Sequence, residues 1–87
     1  MLVLTAPDRH GDFIALAVTS VQPRDHAIEI DPAALVARAL PRASWVRFDK
    51  IFTLSEGSVV KAFGAISPAF VERVVGGLCE RVGYAKP

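Results

Sequence analysis

The run Ser44-Trp45-Val46-Arg47-Phe48-Asp49-Lys50-Ile51-Phe52-Thr53-Leu54 contains the side chain whose position most needs a chemical explanation. Read with period two, Val46, Phe48, Phe52 and Leu54 share one face of a strand, and Lys50 shares it with them. Burying an unpaired ammonium is costly, so Lys50 needs a partner, an exit to solvent, or a task such as holding a phosphate as a point charge. Asp49 falls on the opposite face and is not its obvious salt partner. Arg38, Arg42 and Arg47 lie close by with Asp49 alone opposing them, so the middle of the chain is locally basic and suits a polyanion. Solvated surface charge is the plainer explanation of the same arginines, and a lysine stem snorkelling at a sheet edge is the plainer explanation of Lys50.

His10 and His26 are the natural candidates for proton transfer, since an imidazole titrates at about pH 6.5. They could pair if their two loops, which also carry Arg9 and Arg24, meet at one end of a sheet; otherwise they are exposed bystanders. Trp45 alternates onto the face of Arg47, Asp49, Ile51 and Thr53, where it could stack a base or anchor a partner subunit. Cys79 reads as a small buried hydrophobe.

The elements that must position these groups follow from periodicity and punctuation. Met1 to Thr5 is a short strand, closed by the turn formers between Ala6 and Asp12. Phe13 to Ser20 is a second strand, the turn Gln22 to Asp25 follows, and His26 to Ile30 alternates as a third. Asp31-Pro32 predicts an N-cap and a short helix through Leu40, closed by Pro41. Ser44 to Leu54 is the longest strand, and Ser55 to Ser58 turns it into a last strand, Val59 to Ile66, paired as a hairpin. Ser67-Pro68 repeats the cap signal before Phe70, Val71, Val74, Val75, Leu78 and Val82, which recur at helical spacing up to Gly83. Gly76 and Gly77 inside that helix cost roughly 1 kcal/mol each relative to alanine, so close packing against another backbone should compensate.

Composition limits the class. At 87 residues the chain forms one small domain, and 52 % hydrophobic against 22 % charged residues is globular, with apolar surface to spare for a second copy. A net charge of +1 does not announce a nucleic-acid protein by itself. The single cysteine excludes an internal disulfide or a cysteine metal site. The apolar run Phe13 to Val18 is too short to span a bilayer and the N-terminus lacks a signal-peptide pattern, so a cytoplasmic protein without membrane contact is expected.

The ordered set of motifs resembles the MazF/PemK toxins of type II toxin-antitoxin systems. Its parts are Leu2-Val3-Leu4, the strand ending Val18-Thr19-Ser20, Ile28-Glu29-Ile30-Asp31, Ser44-Trp45-Val46, Asp49-Lys50-Ile51-Phe52-Thr53-Leu54, and Gly64 leading to Ser67-Pro68. The resemblance covers nearly the whole of residues 1–87 as a single domain. It implies a mainly β fold with helices, a small antiparallel partial barrel carrying a short helix and a C-terminal amphipathic helix. It further implies a sequence-selective, metal-independent endoribonuclease without a cofactor, which cuts single-stranded RNA through attack of the ribose 2′-hydroxyl. The implied partners are RNA, a cognate antitoxin, a second copy in a homodimer, and operator DNA bound by the toxin-antitoxin complex.

Such cleavage concentrates negative charge on phosphoryl oxygens, which a cation and fixed donors must meet. Thr19 occupies the family's catalytic threonine position, and its hydroxyl, too weak an acid to serve as a base, would donate a hydrogen bond to a phosphate oxygen. Away from the resemblance, Thr19 is an ordinary β-branched strand residue. Lys50 sits where relatives carry a polar residue facing the substrate, and Ser20, Arg24 and Arg47 complete the expected substrate contacts. One departure matters. Relatives begin with a further strand, a glycine loop and an Arg-Pro pair before the Leu-Val-Leu strand, and here Met1 stands where that pair ends. The family's catalytic arginine is therefore expected to be missing from this chain, and a catalytically inactive remnant that dimerises and binds antitoxin or nucleic acid is the competing expectation. The codons upstream of Met1 separate the two.

Overall fold

A computed structural model describes residues 1–35, 42–59 and 65–84. Four antiparallel strands, β1 (Leu2–Val3), β2 (Asp12–Thr19), β3 (Ala27–Glu29) and β4 (Trp45–Ser55), form one sheet in the order β1-β2-β4-β3. With its half-barrel sheet and one C-terminal helix, the chain has the mainly β architecture that the sequence implies. The β1–β2 turn closes as its residue types require: the Asp8 carboxylate accepts the N–H groups of His10 and Asp12 at 2.8 and 3.0 Å, and Gly11 takes a φ of +77°.

The register of β2 on β4 overturns the single apolar face inferred for Ser44 to Leu54. Thr19, Val18 and Ala17 pair with Trp45, Val46 and Arg47, but Leu16 pairs with Ile51, so Phe48, Asp49 and Lys50 leave the β2 ladder as a bulge. Four residues of β4 thus advance against one of β2, and this difference reverses the faces downstream. Ile51 and Thr53 share the face of Val46, whereas Phe52 and Leu54 share that of Trp45 and Arg47. Lys50 is exposed, so the fold gives its ammonium an exit to solvent. Asp49 instead meets Arg47.

α1 (Pro68–Arg81) begins and ends on its sequence signals. Ser67 accepts the Phe70 N–H at 3.4 Å and Pro68 takes the first turn. At the far end Gly83 adopts a φ of +80°, its N–H bonds to Glu80 O and the Tyr84 N–H to Cys79 O, which satisfies the last carbonyls. Phe70 and Val74 from α1 pack with Leu2, Leu16, Ile30, Ala34 and Val46 in the core. Burying each of these side chains other than Ala34 contributes about 1.5–3 kcal/mol. Val75 and Val82, counted in the same stripe by spacing, are exposed, and Cys79 is half-buried. Neither helix glycine packs against a backbone as expected: at Gly77 it is the Phe48 side-chain ring that lies 3.0 Å from where a Cβ would stand, and at Gly76 nothing lies within 4 Å.

The short helix expected from Pro32 is one 3₁₀ turn, Pro32–Ala34, capped by Asp31 and ended by Leu35, which is extended and bridges Ile66. The remainder of that helix, with Arg38, falls on residues 36–41 and most of the expected last strand on residues 60–64, all outside the described residues. Among the described residues no helix is long and apolar enough to cross a membrane.

Candidate nucleic-acid interface

The first half of β4 is paired on both sides, with β2 and with β3. Thr19, Trp45 and Glu29 form one cross-strand row, and Ala17, Arg47 and Ala27 the next. Thr19 and Arg47 therefore project from the same face as diagonal neighbours on adjacent strands, about 7–8 Å apart at the backbone. Both strands flanking β4 run antiparallel to it, so residues 20–26 must carry the chain across β4 to reach β3. That crossing segment holds Ser20 and Arg24, both exposed.

Arg47 is fixed by Asp49. Its Nε and Nη2 donate to the two carboxylate oxygens at 3.2 and 3.0 Å, a two-pronged pair in which both side chains are partly buried. These hydrogen bonds hold the Asp49 carboxyl below its ordinary range; partial burial opposes the shift, and the charges of Arg47 and Lys50 support it. At neutral pH Asp49 is therefore an ionised orienting group. Alternation alone puts Asp49 on the face of Arg47, because residues two apart on a strand share a face; the structure adds the hydrogen bonds between them.

The Thr19 hydroxyl accepts the Val21 N–H at 3.1 Å and lies 3.4 Å from the Val21 carbonyl. The first bond holds the turn. The second is long, so the hydroxyl proton can be turned to a better acceptor at little cost.

The other candidates are scattered. His10 and His26 do not pair: Asp12 lies opposite Ser55, whereas the His26 carbonyl bonds to Phe48, about 15 Å back along the sheet. His10 takes a hydrogen bond from Arg9, and His26 sits 3.7 Å from Asp25. An open apolar groove lined by Val3, Pro7, Phe13, Glu56 and Val59 lies near the start of β2, away from Thr19. No three His, Cys, Asp or Glu side chains converge on a metal position among the described residues.

Arg47 thus lies on the face of the Thr19 hydroxyl, while Lys50 in the bulge and Arg24 in the crossing segment are exposed cations on neighbouring stretches. A comparison with curated proteins finds no match for the chain. Residues 1–82 match the family described as PemK-like, MazF-like toxin of type II toxin-antitoxin system, and with nearly the whole chain so matched the protein belongs to that toxin family.

Proposed function

We propose that this toxin cleaves single-stranded RNA without a metal, by attack of a ribose 2′-hydroxyl on the adjacent phosphate, and that the face carrying Thr19 and Arg47 receives the scissile phosphate. The observation that carries this reading is that Arg47, its guanidinium held by Asp49, projects from the same face as Thr19 in the diagonal position on the adjacent strand. A phosphate between them would take the Thr19 proton on one oxygen and the remaining N–H groups of Arg47 on another, which opposes the charge that develops during attack. On this reading Arg47 is a cation that meets the phosphate from the face of Thr19. Lys50 adds a point charge from the adjoining bulge, and Ser20 and Arg24 contact the flanking nucleotides from the crossing segment.

Membership of the family implies an antitoxin partner. Formation of a homodimer and binding of operator DNA by the toxin-antitoxin pair belong to the same proposal, with the cytoplasm as the place of action.

The test is an RNA cleavage assay in excess chelator, on the 87-residue chain and on a form extended through any in-frame upstream codons. Cyclic phosphate ends are expected, with Thr19→Ala slowing the reaction by about tenfold to a hundredfold, the loss typical of one charge-stabilising donor or less. Intact RNA from both folded forms would overturn the enzyme reading. Antitoxin binding without RNA turnover would establish the competing one, a toxin fold retained for binding.

A further inference from the structure

His26 has a φ of +53°, and among the described residues no other non-glycine backbone lies in the left-handed region. A β-carbon makes that conformation costly, so its presence signals that the surroundings require it. What surrounds His26 is the β4 bulge. Its carbonyl accepts the Phe48 N–H at 3.0 Å. Its imidazole lies edge-on to the Phe48 ring, with centroids 6.2 Å apart and planes at 69°. The Phe48 ring in turn presses on Gly77 of α1.

Phe48 is the first residue to leave the β2 ladder, and Asp49 and Lys50 follow it. Without β2 partners, these three residues depend on other contacts for their path. The bond from His26 supplies one on the β3 side, one step beyond the Ala27–Arg47 pair. If Phe48 shifts, its neighbour Asp49 shifts with it, and the two-pronged grip on Arg47 is disturbed.

We infer that His26 is a positioning residue for the RNA site: its left-handed backbone pins Phe48 at the start of the bulge, and so sets where Asp49 holds Arg47 and where Lys50 stands. This rests on the proposal that the Thr19 and Arg47 face binds RNA, and the experiment separates the two.

His26→Asn and His26→Gly accept a left-handed backbone, whereas His26→Val, β-branched, resists it. Two quantities are read on each variant: affinity for a 2′-O-methyl RNA oligonucleotide, and the NMR signal of the Arg47 Nε–H, which pairing with Asp49 shifts and protects from exchange. Asn and Gly should keep the Arg47 signal and bind within about threefold of the parent, while Val should lose the signal and bind about tenfold more weakly. A folded His26→Val protein with the parental Arg47 signal would overturn the inference, even if it melted at a lower temperature. Should Val prevent folding, His26→Ala resists the same backbone less strongly and is read in the same way. If the parent binds no RNA, the RNA proposal fails, and the Arg47 signal still decides the role of His26.

Discussion

The two halves of β4 are similar in composition and opposite in fate. Trp45 to Arg47 is paired with β2 on one side and β3 on the other, and Val46 is fully buried beneath α1. Ile51 to Ser55 pairs with β2, and there Ile51 and Phe52 remain 49 % and 41 % exposed. Three bulged residues separate the halves. The first half, paired on both sides, carries Arg47 next to Thr19 on one face, and the bulge brings Asp49 to Arg47. The second half exposes an apolar side chain on each face, Ile51 on one and Phe52 on the other, a consequence of the reversal that the bulge imposes.

The largest expected contrast is in stability. Val46→Ala should cost about 2–3 kcal/mol through lost burial and a cavity, lowering the melting temperature by about 10 °C or more. Ile51→Ala, in the other half, should cost less than about 1 kcal/mol, because its side chain already meets solvent. Equal losses in a thermal melt would mean that the halves are not packed differently.

Neighbouring glycines on α1 sharpen the same contrast at the bulge. Gly76→Ala should gain about 1 kcal/mol from helix propensity, since its Cβ would enter open space. Gly77→Ala would drive a methyl group against the Phe48 ring, and the overpacking cost of about 1–3 kcal/mol should exceed the same gain. Opposite signs in paired denaturant melts are expected. Stabilisation by both would show that Phe48 is free to move.

The smallest effect is the acid response of the first half. Because the folded Asp49 carboxyl is held below its ordinary range, its contribution is present above the unfolded pKa of about 3.9 and fades as pH falls through that value and below. Between pH 6 and pH 3 the parent should lose up to about 1 kcal/mol more than Asp49→Asn, the modest size being set by a partly exposed pair. Identical acid profiles would remove the Arg47–Asp49 pair from the account.

Much of this molecule was legible where punctuation is local. Asp31, Ser67 and Gly83 marked the ends of their elements because capping depends on a few adjacent residues. The faces of β4 were not legible. Period-two reading assumes an unbroken ladder, and nothing within Arg47 to Ile51 announces that three residues will leave it. Whether they do depends on β2, on the carbonyl of His26 and on the space above Gly77, none of which is near in sequence. For the site, Arg47 and Lys50 stood out by charge and Thr19 by family position. Asp49 was legible as the charge opposing the arginines and as a residue on the face of Arg47, but its two-pronged bond to Arg47 was not, because side-chain pairing depends on how the bulge turns.

The central claim is that RNA lies on the Thr19 and Arg47 face beside the bulge. Mapping amide chemical shifts during titration with a 2′-O-methyl RNA oligonucleotide, which binds but cannot be cut, tests it most directly. The account predicts the largest changes at Thr19, Ser20, Arg24, Arg47 and Lys50, with Phe13 and Val59 at the far groove unmoved. Changes centred on Val3, Phe13 and Val59, with Thr19 and Arg47 silent, would contradict it.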